Sequence, residues 1–198
     1  MSVPRDLNAL LGSRICHDLI SPLGAIGNGV ELLAMSGVTA APEIALISES
    51  VDNANARIRF FRVAFGAAVP GQIMDGADVQ AILRDLGRGG RVRHDWQALG
   101  DLPREAVKLA LLLVQCVETA MPWGGTITAR LEAGRWRVEG LAEKLKIETE
   151  LWSLIADPQA AVDVSASHVE FPLVAEAARA SGLRLEIEIG ETSITARF

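Results

Sequence analysis

Apolar residues recur along the first third of the chain in two helical registers. Ile15, Leu19, Leu23, Ile26, Val30 and Leu33 advance by four, four, three, four and three, which predicts one helix over residues 5–36 with its seam turned toward a bundle. Pro22 interrupts or bends that helix, because an interior proline removes a backbone hydrogen bond and crowds the preceding turn. Ser36-Gly37 ends it, and Ala41-Pro42-Glu43 opens a second helix with proline in its first turn, across a short connection. From Ile44 the apolar positions Ile47, Val51, Ala54, Ile58, Phe61 and Phe65 follow in steps of three and four, a second bundle seam. The two helices pair as an antiparallel hairpin, which alone leaves much of both seams in water. A second hairpin from another copy of the chain is the simplest cover and predicts a homodimeric four-helix bundle. The alternative is that the C-terminal half folds back over the seam.

The periodicity stops around Ala67 to Gly76, where Pro70, Gly71 and Gly76 mark a linker. This predicts a hairpin unit over residues 1–67 and a second unit over 77–198. In the latter, Asp78 to Leu86 reads as a short amphipathic helix and Gly87 to Gly90 as a turn. Val92 to Leu99 reads as a strand, and Pro103 to Thr119 as the most apolar helix. Thr126 to Glu132 and Trp136 to Gly140 alternate as strands around a turn at Ala133-Gly134. A short helix at Glu150 to Ile155, a helix at Val169 to Ser181, and strands at Leu183 to Ile189 and Ser193 to Phe198 complete the chain. The fold class expected is α+β, a helical hairpin followed by a two-layer α/β sandwich.

Composition changes this picture little. The 198 residues, 49% hydrophobic and 22% charged, suit a globular chain able to bury a core. No apolar run reaches the roughly 18 residues of a spanning helix, and the segment MSVPRDLNALLGSR has no long apolar stretch before a small-residue cleavage site. A cytoplasmic protein is expected, with no membrane partner. The net charge of −6 argues against direct nucleic-acid binding, which needs clustered cations. Cys16 and Cys116 are far apart in sequence and are expected as thiols.

The candidate chemistry lies on the first helix. At about 100° per residue His17 falls opposite the apolar seam, with Ser21, Gly24, Asn28 and Glu31 on its side. Gly24 and Gly27 each cost about 1 kcal/mol relative to alanine inside a helix, a cost that makes sense where another backbone comes close. The face reads as a docking surface; the alternative is a polar-face histidine with no task. The run His17-Asp18-Leu19-Ile20-Ser21-Pro22 resembles the H-box of histidine kinases, a phospho-accepting histidine followed by an acid and, five positions on, a proline. Cys16 to Leu19, Pro22 to Ala25 (Pro-Leu-Gly-Ala), Asn28-Gly29 and the later RIRFFRVAFG (Arg57 to Gly66) more closely resemble ChpT-type histidine phosphotransferases.

The resemblance implies a kinase-like second domain, but the devices for holding ATP are missing from it. The helix KLALLLVQCVETA lacks the magnesium-binding asparagine. Val138-Glu139-Gly140-Leu141-Ala142 stands where an Asp-x-Gly-x-Gly loop would carry the adenine-binding aspartate, and no glycine-rich lid lies between Asp157 and Val169. ChpT-type proteins look like kinases with such a degenerate domain. No metal or cofactor is therefore expected from this chain, magnesium coming with the partner receiver domain.

The expected function is a phosphorelay histidine phosphotransferase that takes a phosphoryl group from a receiver aspartate, with a hybrid histidine kinase as one candidate donor, onto His17 and passes it to response regulators. By resemblance Asp18 orients the imidazole or accepts its proton. Arg14, one turn before His17, steadies phosphoryl oxygens, while Ser21, Gly24 and Asn28 dock the receiver; helix solvation and a surface cation are the bland alternatives for Asp18 and Arg14. A non-catalytic dimeric adaptor that binds receivers is a second reading, and an ATP-dependent kinase a third. His94, His168 and the tryptophans Trp96, Trp123, Trp136 and Trp152 are read as structural. Arg57, Arg59 and Arg62 are a solvated face or a guide for an acidic partner.

Overall fold

The computed structural model describes residues 7–36, 41–158 and 160–198. Helix α1 (Leu7–Ser36) and helix α2 (Ala41–Ala64) form the hairpin; residues 5 and 6, Gly37 and the rest of the connection lie outside the described residues. α1 runs unbroken through Pro22, whose missing N–H deprives the Asp18 carbonyl of its helical donor. The buried line of α1 is rotated from the expected seam. Pro22 and Gly29 are buried, Ile15 and Leu19 pack on the core, and Leu23 and Val30 are exposed.

The second half is the expected mixture of helix and strand. Strand β1 (Ile73–Asp75) leads into helix α3 (Gly76–Leu86), strand β2 (Val92–Trp96), strand β3 (Asp101–Pro103) and helix α4 (Arg104–Thr119). Then come strands β4 (Gly125–Glu132) and β5 (Arg135–Leu141), helix α5 (Thr149–Ala156), a 3-10 turn at Ala166–His168, helix α6 (Glu170–Ala180), and strands β6 (Glu186–Ile189) and β7 (Ser193–Arg197). The main sheet has the order β2-β4-β5-β7-β6, with β2 parallel to β4 and the other pairs antiparallel. β1 and β3 pair separately, so the stretch read as a linker carries a strand. Asp75 ends β1 and caps α3, its Oδ1 accepting from the Ala77 N–H at 2.9 Å.

Alternation splits the sheet into two faces. Ile127, Ala129, Trp136, Val138, Ile194 and Ala196 point to the helices and are buried. Arg130, Arg137, Glu139, Thr195 and Arg197 stand on the other face, where Arg137 and Thr195 both bond Glu139. Gly140 lets α4 sit directly on the sheet, since a Cβ there would lie 2.3 Å from Val117 Cγ1. The hairpin joins this core at its base through Phe60, Phe61, Val63 and Ala64 of α2. The junction is polar as well as apolar. Arg104 Nη2 donates to the Arg62 and Val63 carbonyls at 3.2 and 2.6 Å, and Lys108 Nζ to the Gly66 carbonyl at 3.0 Å. Two cations of α4 thus meet carbonyls at and just beyond the end of α2, where they also complement the helix dipole.

Three side-chain readings change. Trp96, Trp136 and Trp152 are buried, but Trp123 is 56% exposed in the turn after α4, with the Lys144 ammonium 4.6 Å from its ring centroid. Arg57 and Arg59 are not a free solvated face: Arg59 donates to Asp85 of α3 at 2.8 Å, and Arg57 bonds Asn53 and approaches Asp18. Arg62 is exposed. His94 packs in β2 with Nε2 3.2 Å from Glu118, and His168 bonds Ser165 beside Phe171. Cys116 is a free thiol, and burial on α4 pushes its pKa up.

Candidate functional site

His17 projects from the middle of α1 with its side chain 82% exposed. Its register puts it away from the line of Ile15, Pro22, Ile26 and Gly29 that faces the rest of the molecule. Ser21, Gly24 and Asn28 are exposed on the same side of α1, and a Cβ built on Gly24 or Gly27 meets nothing within 4 Å, so the helix surface there is open.

The imidazole is oriented by its neighbour. Nδ1 of His17 lies 3.0 Å from Asp18 Oδ1, and because a carboxylate only accepts, this contact assigns the proton of the neutral ring to Nδ1 and leaves the lone pair on Nε2. Although successive helix residues diverge by about 100°, the ring reaches sideways to Asp18. Asp18 itself is nearly buried. Its Oδ2 accepts from Arg14 Nε at 2.8 Å, one turn earlier, and Arg57 Nη1 of α2 stands 3.8 Å from the same oxygen. Two cations thus hold Asp18 in place beneath the histidine.

Arg14 is turned away from open solvent. Its Nη1 donates to the Ser167 carbonyl in the 3-10 turn and lies 3.7 Å from Oε2 of Glu170. Glu170, in the first turn of α6, is fully buried, and its Oε1 accepts from the Thr119 hydroxyl at 3.0 Å. Burial raises the Glu170 carboxyl above the usual range, and the Arg14 charge offsets part of that rise. The site is therefore built from both halves of the chain: His17, Asp18 and Arg14 from α1, Arg57 from α2, and Ser167 and Glu170 from the second half. Glu170, Ser167 and Thr119 carried no signal in the sequence, since a glutamate opening an amphipathic helix is ordinarily solvated.

Among the described residues no group of three or more histidine, cysteine, aspartate or glutamate side chains could hold a metal ion. Helix α5 packs inward through Leu151, Trp152 and Leu154, and Trp152 meets the Phe171 ring edge-on at 5.3 Å. Beside it a cleft of about 410 Å³ is lined by Glu148, Glu150, Asp163, Ser165 and His168. No helix among the described residues is long and apolar enough to cross a membrane.

A family model described as the histidine phosphotransferase C-terminal domain matches residues 76–193. The chain belongs to the histidine phosphotransferase family. A protein phosphotransferase ChpT from Brucella abortus (strain 2308) is 45% identical over 129 residues, which are 64% of this chain and 61% of that protein. The match thus spans about three fifths of that relative's length. A solved bacterial phosphotransferase superposes with a TM-score of 0.82 at 32% identity, over 100% of this chain and 98% of its own. The histidine kinase domain of a blue-light activated kinase from Erythrobacter litoralis EL346 is 13% identical and aligns over 93% of both chains with a TM-score of 0.45. In this histidine phosphotransferase the family-matched stretch holds Thr119, Ser167 and Glu170, while His17, Asp18, Arg14 and Arg57 lie ahead of it.

Proposed function

We propose that the chain is a phosphorelay histidine phosphotransferase, with His17 as the phosphoryl acceptor and donor. The observation that carries this reading is a histidine 82% exposed on an open helix face whose Nδ1 is engaged by Asp18. Nε2 attacks the phosphorus of an aspartyl phosphate on a receiver domain; the N–P bond forms, the P–O bond breaks, and the receiver aspartate leaves as a carboxylate. The second half-reaction reverses this onto the aspartate of a response regulator. The Nδ1–H held by Asp18 stabilises the charge that the ring gains as Nε2 is phosphorylated. Magnesium enters with the receiver, so the chain supplies position and charge and uses no nucleotide or metal of its own. Ser21, Gly24 and Asn28 form the surface on which the receiver backbone rests, in two such sites per homodimer.

The homodimeric four-helix bundle is part of this proposal. It is supported by an apolar stripe left open on the hairpin, Leu23 and Val30 on α1 with Ile44, Val51 and Ile58 on α2. Incubation with a phosphorylated receiver tests the function. A phosphotransferase acquires acid-labile phosphate on His17, whereas an adaptor binds the receiver and stays unlabelled.

A further inference from the structure

The second half of the molecule brings to His17 a group that the phosphorelay reading leaves idle. Glu170 has no exposed surface, and only Oε1 is satisfied, by Thr119. Its Oε2 is buried without a hydrogen-bond partner among the described residues and faces the Arg14 guanidinium at 3.7 Å. An acceptor so placed is expensive to bury for packing alone. Arg14 is the other half of the arrangement. Its Nε side is committed to Asp18 Oδ2 and its Nη1 side to the Ser167 carbonyl and to Glu170. A guanidinium is planar and rigid, so fixing one edge aims the other.

We propose that Glu170 is a positioning residue for phosphoryl transfer: by holding the outer edge of the Arg14 guanidinium it fixes the inner edge on Asp18, and so keeps Asp18 Oδ1 on Nδ1 of His17 with Nε2 free to react. This rests on His17 being the acceptor. Without Glu170 the Nη1 side of Arg14 keeps only the Ser167 carbonyl, its aim at Asp18 Oδ2 loosens, and Arg57, 3.8 Å away on the opposite helix, competes for that oxygen. The carboxylate then turns from Nδ1, and the two imidazole tautomers come closer to equal populations. The role of the second domain is thereby direct, because it completes the site that α1 begins.

The test compares wild type with Glu170→Met, which keeps the length of the side chain and removes both oxygens, and Glu170→Gln, which removes the charge but keeps an acceptor. Nitrogen-15 spectra of the ring, with His17 assigned by difference against His17→Gln, are recorded at about pH 8.5, roughly two units above an ordinary imidazole pKa. Wild type should show the Nδ1–H form predominating at His17, E170M a mixture, and E170Q a value between them. Phosphoryl acceptance from a receiver should fall roughly tenfold in E170M at saturating receiver, with partial recovery in E170Q. In an Asp18→Asn background the Glu170→Met change should add nothing. Should E170M not fold, the E170Q spectrum decides in its place. Because the spectra are read on unphosphorylated protein, they judge Glu170 even if His17 takes no label. Wild-type tautomer and rate in folded E170M, or full additivity with Asp18→Asn, would overturn the proposal.

Discussion

An exposed imidazole gains orientation only from what it bonds, and at His17 that is the next residue along the helix. The arrangement makes the acceptor separable from the fold. His17→Asn should abolish labelling by a phosphorylated receiver yet change stability by no more than about 0.5 kcal/mol, because the side chain packs against little; a denaturation curve run beside the transfer assay checks both. Asp18→Asn should slow transfer while leaving receiver binding intact, since the amide presents an N–H or a weaker acceptor to Nδ1. At this scale the sequence was informative where the chemistry is local. His17, Asp18 and the open face beside them sit within one run of eighteen residues, and their order on a helix follows from its pitch. Glu170 and Ser167 were not legible, because their meaning comes from Arg14 at the other end of the chain.

The elements are tied together by charges at the base of the hairpin. Asp85 receives the Arg59 hydrogen bond at 2.8 Å, and Arg84 and Arg88 crowd the same carboxylate. The Arg59 bond first, and the three positive charges after it, hold the Asp85 carboxyl below the usual range. A carboxyl with a lower pKa folded than unfolded adds stability above its unfolded value, near 3.9, and loses it as pH falls through the folded one. Asp85→Asn should therefore lower the thermal midpoint at pH 7 and shrink its decline below about pH 4, which a calorimetric pH series will reveal. The short strands β1 and β3 escaped the sequence reading because three residues are too few to display alternation, and glycine and proline around them argued for a linker. The helices and longer strands were legible because each carries several periods of its pattern. Helix α5 bears on nucleotide. With Leu151, Trp152 and Leu154 packed inward and Glu148, Glu150 and Asp163 lining the adjoining cleft, a triphosphate entering there meets carboxylates that repel it. Titration calorimetry with magnesium–ATP at millimolar concentration should show no saturable binding, and micromolar binding would restore the kinase reading.

At the scale of the whole molecule the apolar stripe is the feature a single chain does not resolve. Val51, Ile58, Leu23 and Val30 stay between 39% and 59% exposed, and fully burying one such side chain is worth about 1.5–3 kcal/mol. The expected seam was half right in its placement: Ile15 and Leu19 serve the chain's own core, whereas Leu23 and Val30 face outward, because α1 rotates to bury Pro22 and Gly29. Val51→Asp should yield a monomer that stays folded, the side chain being already partly in water, as sedimentation velocity at micromolar concentration will show against a dimeric wild type. The central claim concerns the passage of a phosphoryl group through His17. It is tested most directly by incubating wild type and His17→Asn with a receiver domain carrying radiolabelled phosphate, then adding an unlabelled second receiver. The account predicts acid-labile label on wild type alone and its onward transfer to the second receiver. Label on His17→Asn, or receiver binding without any label on wild type, would contradict it.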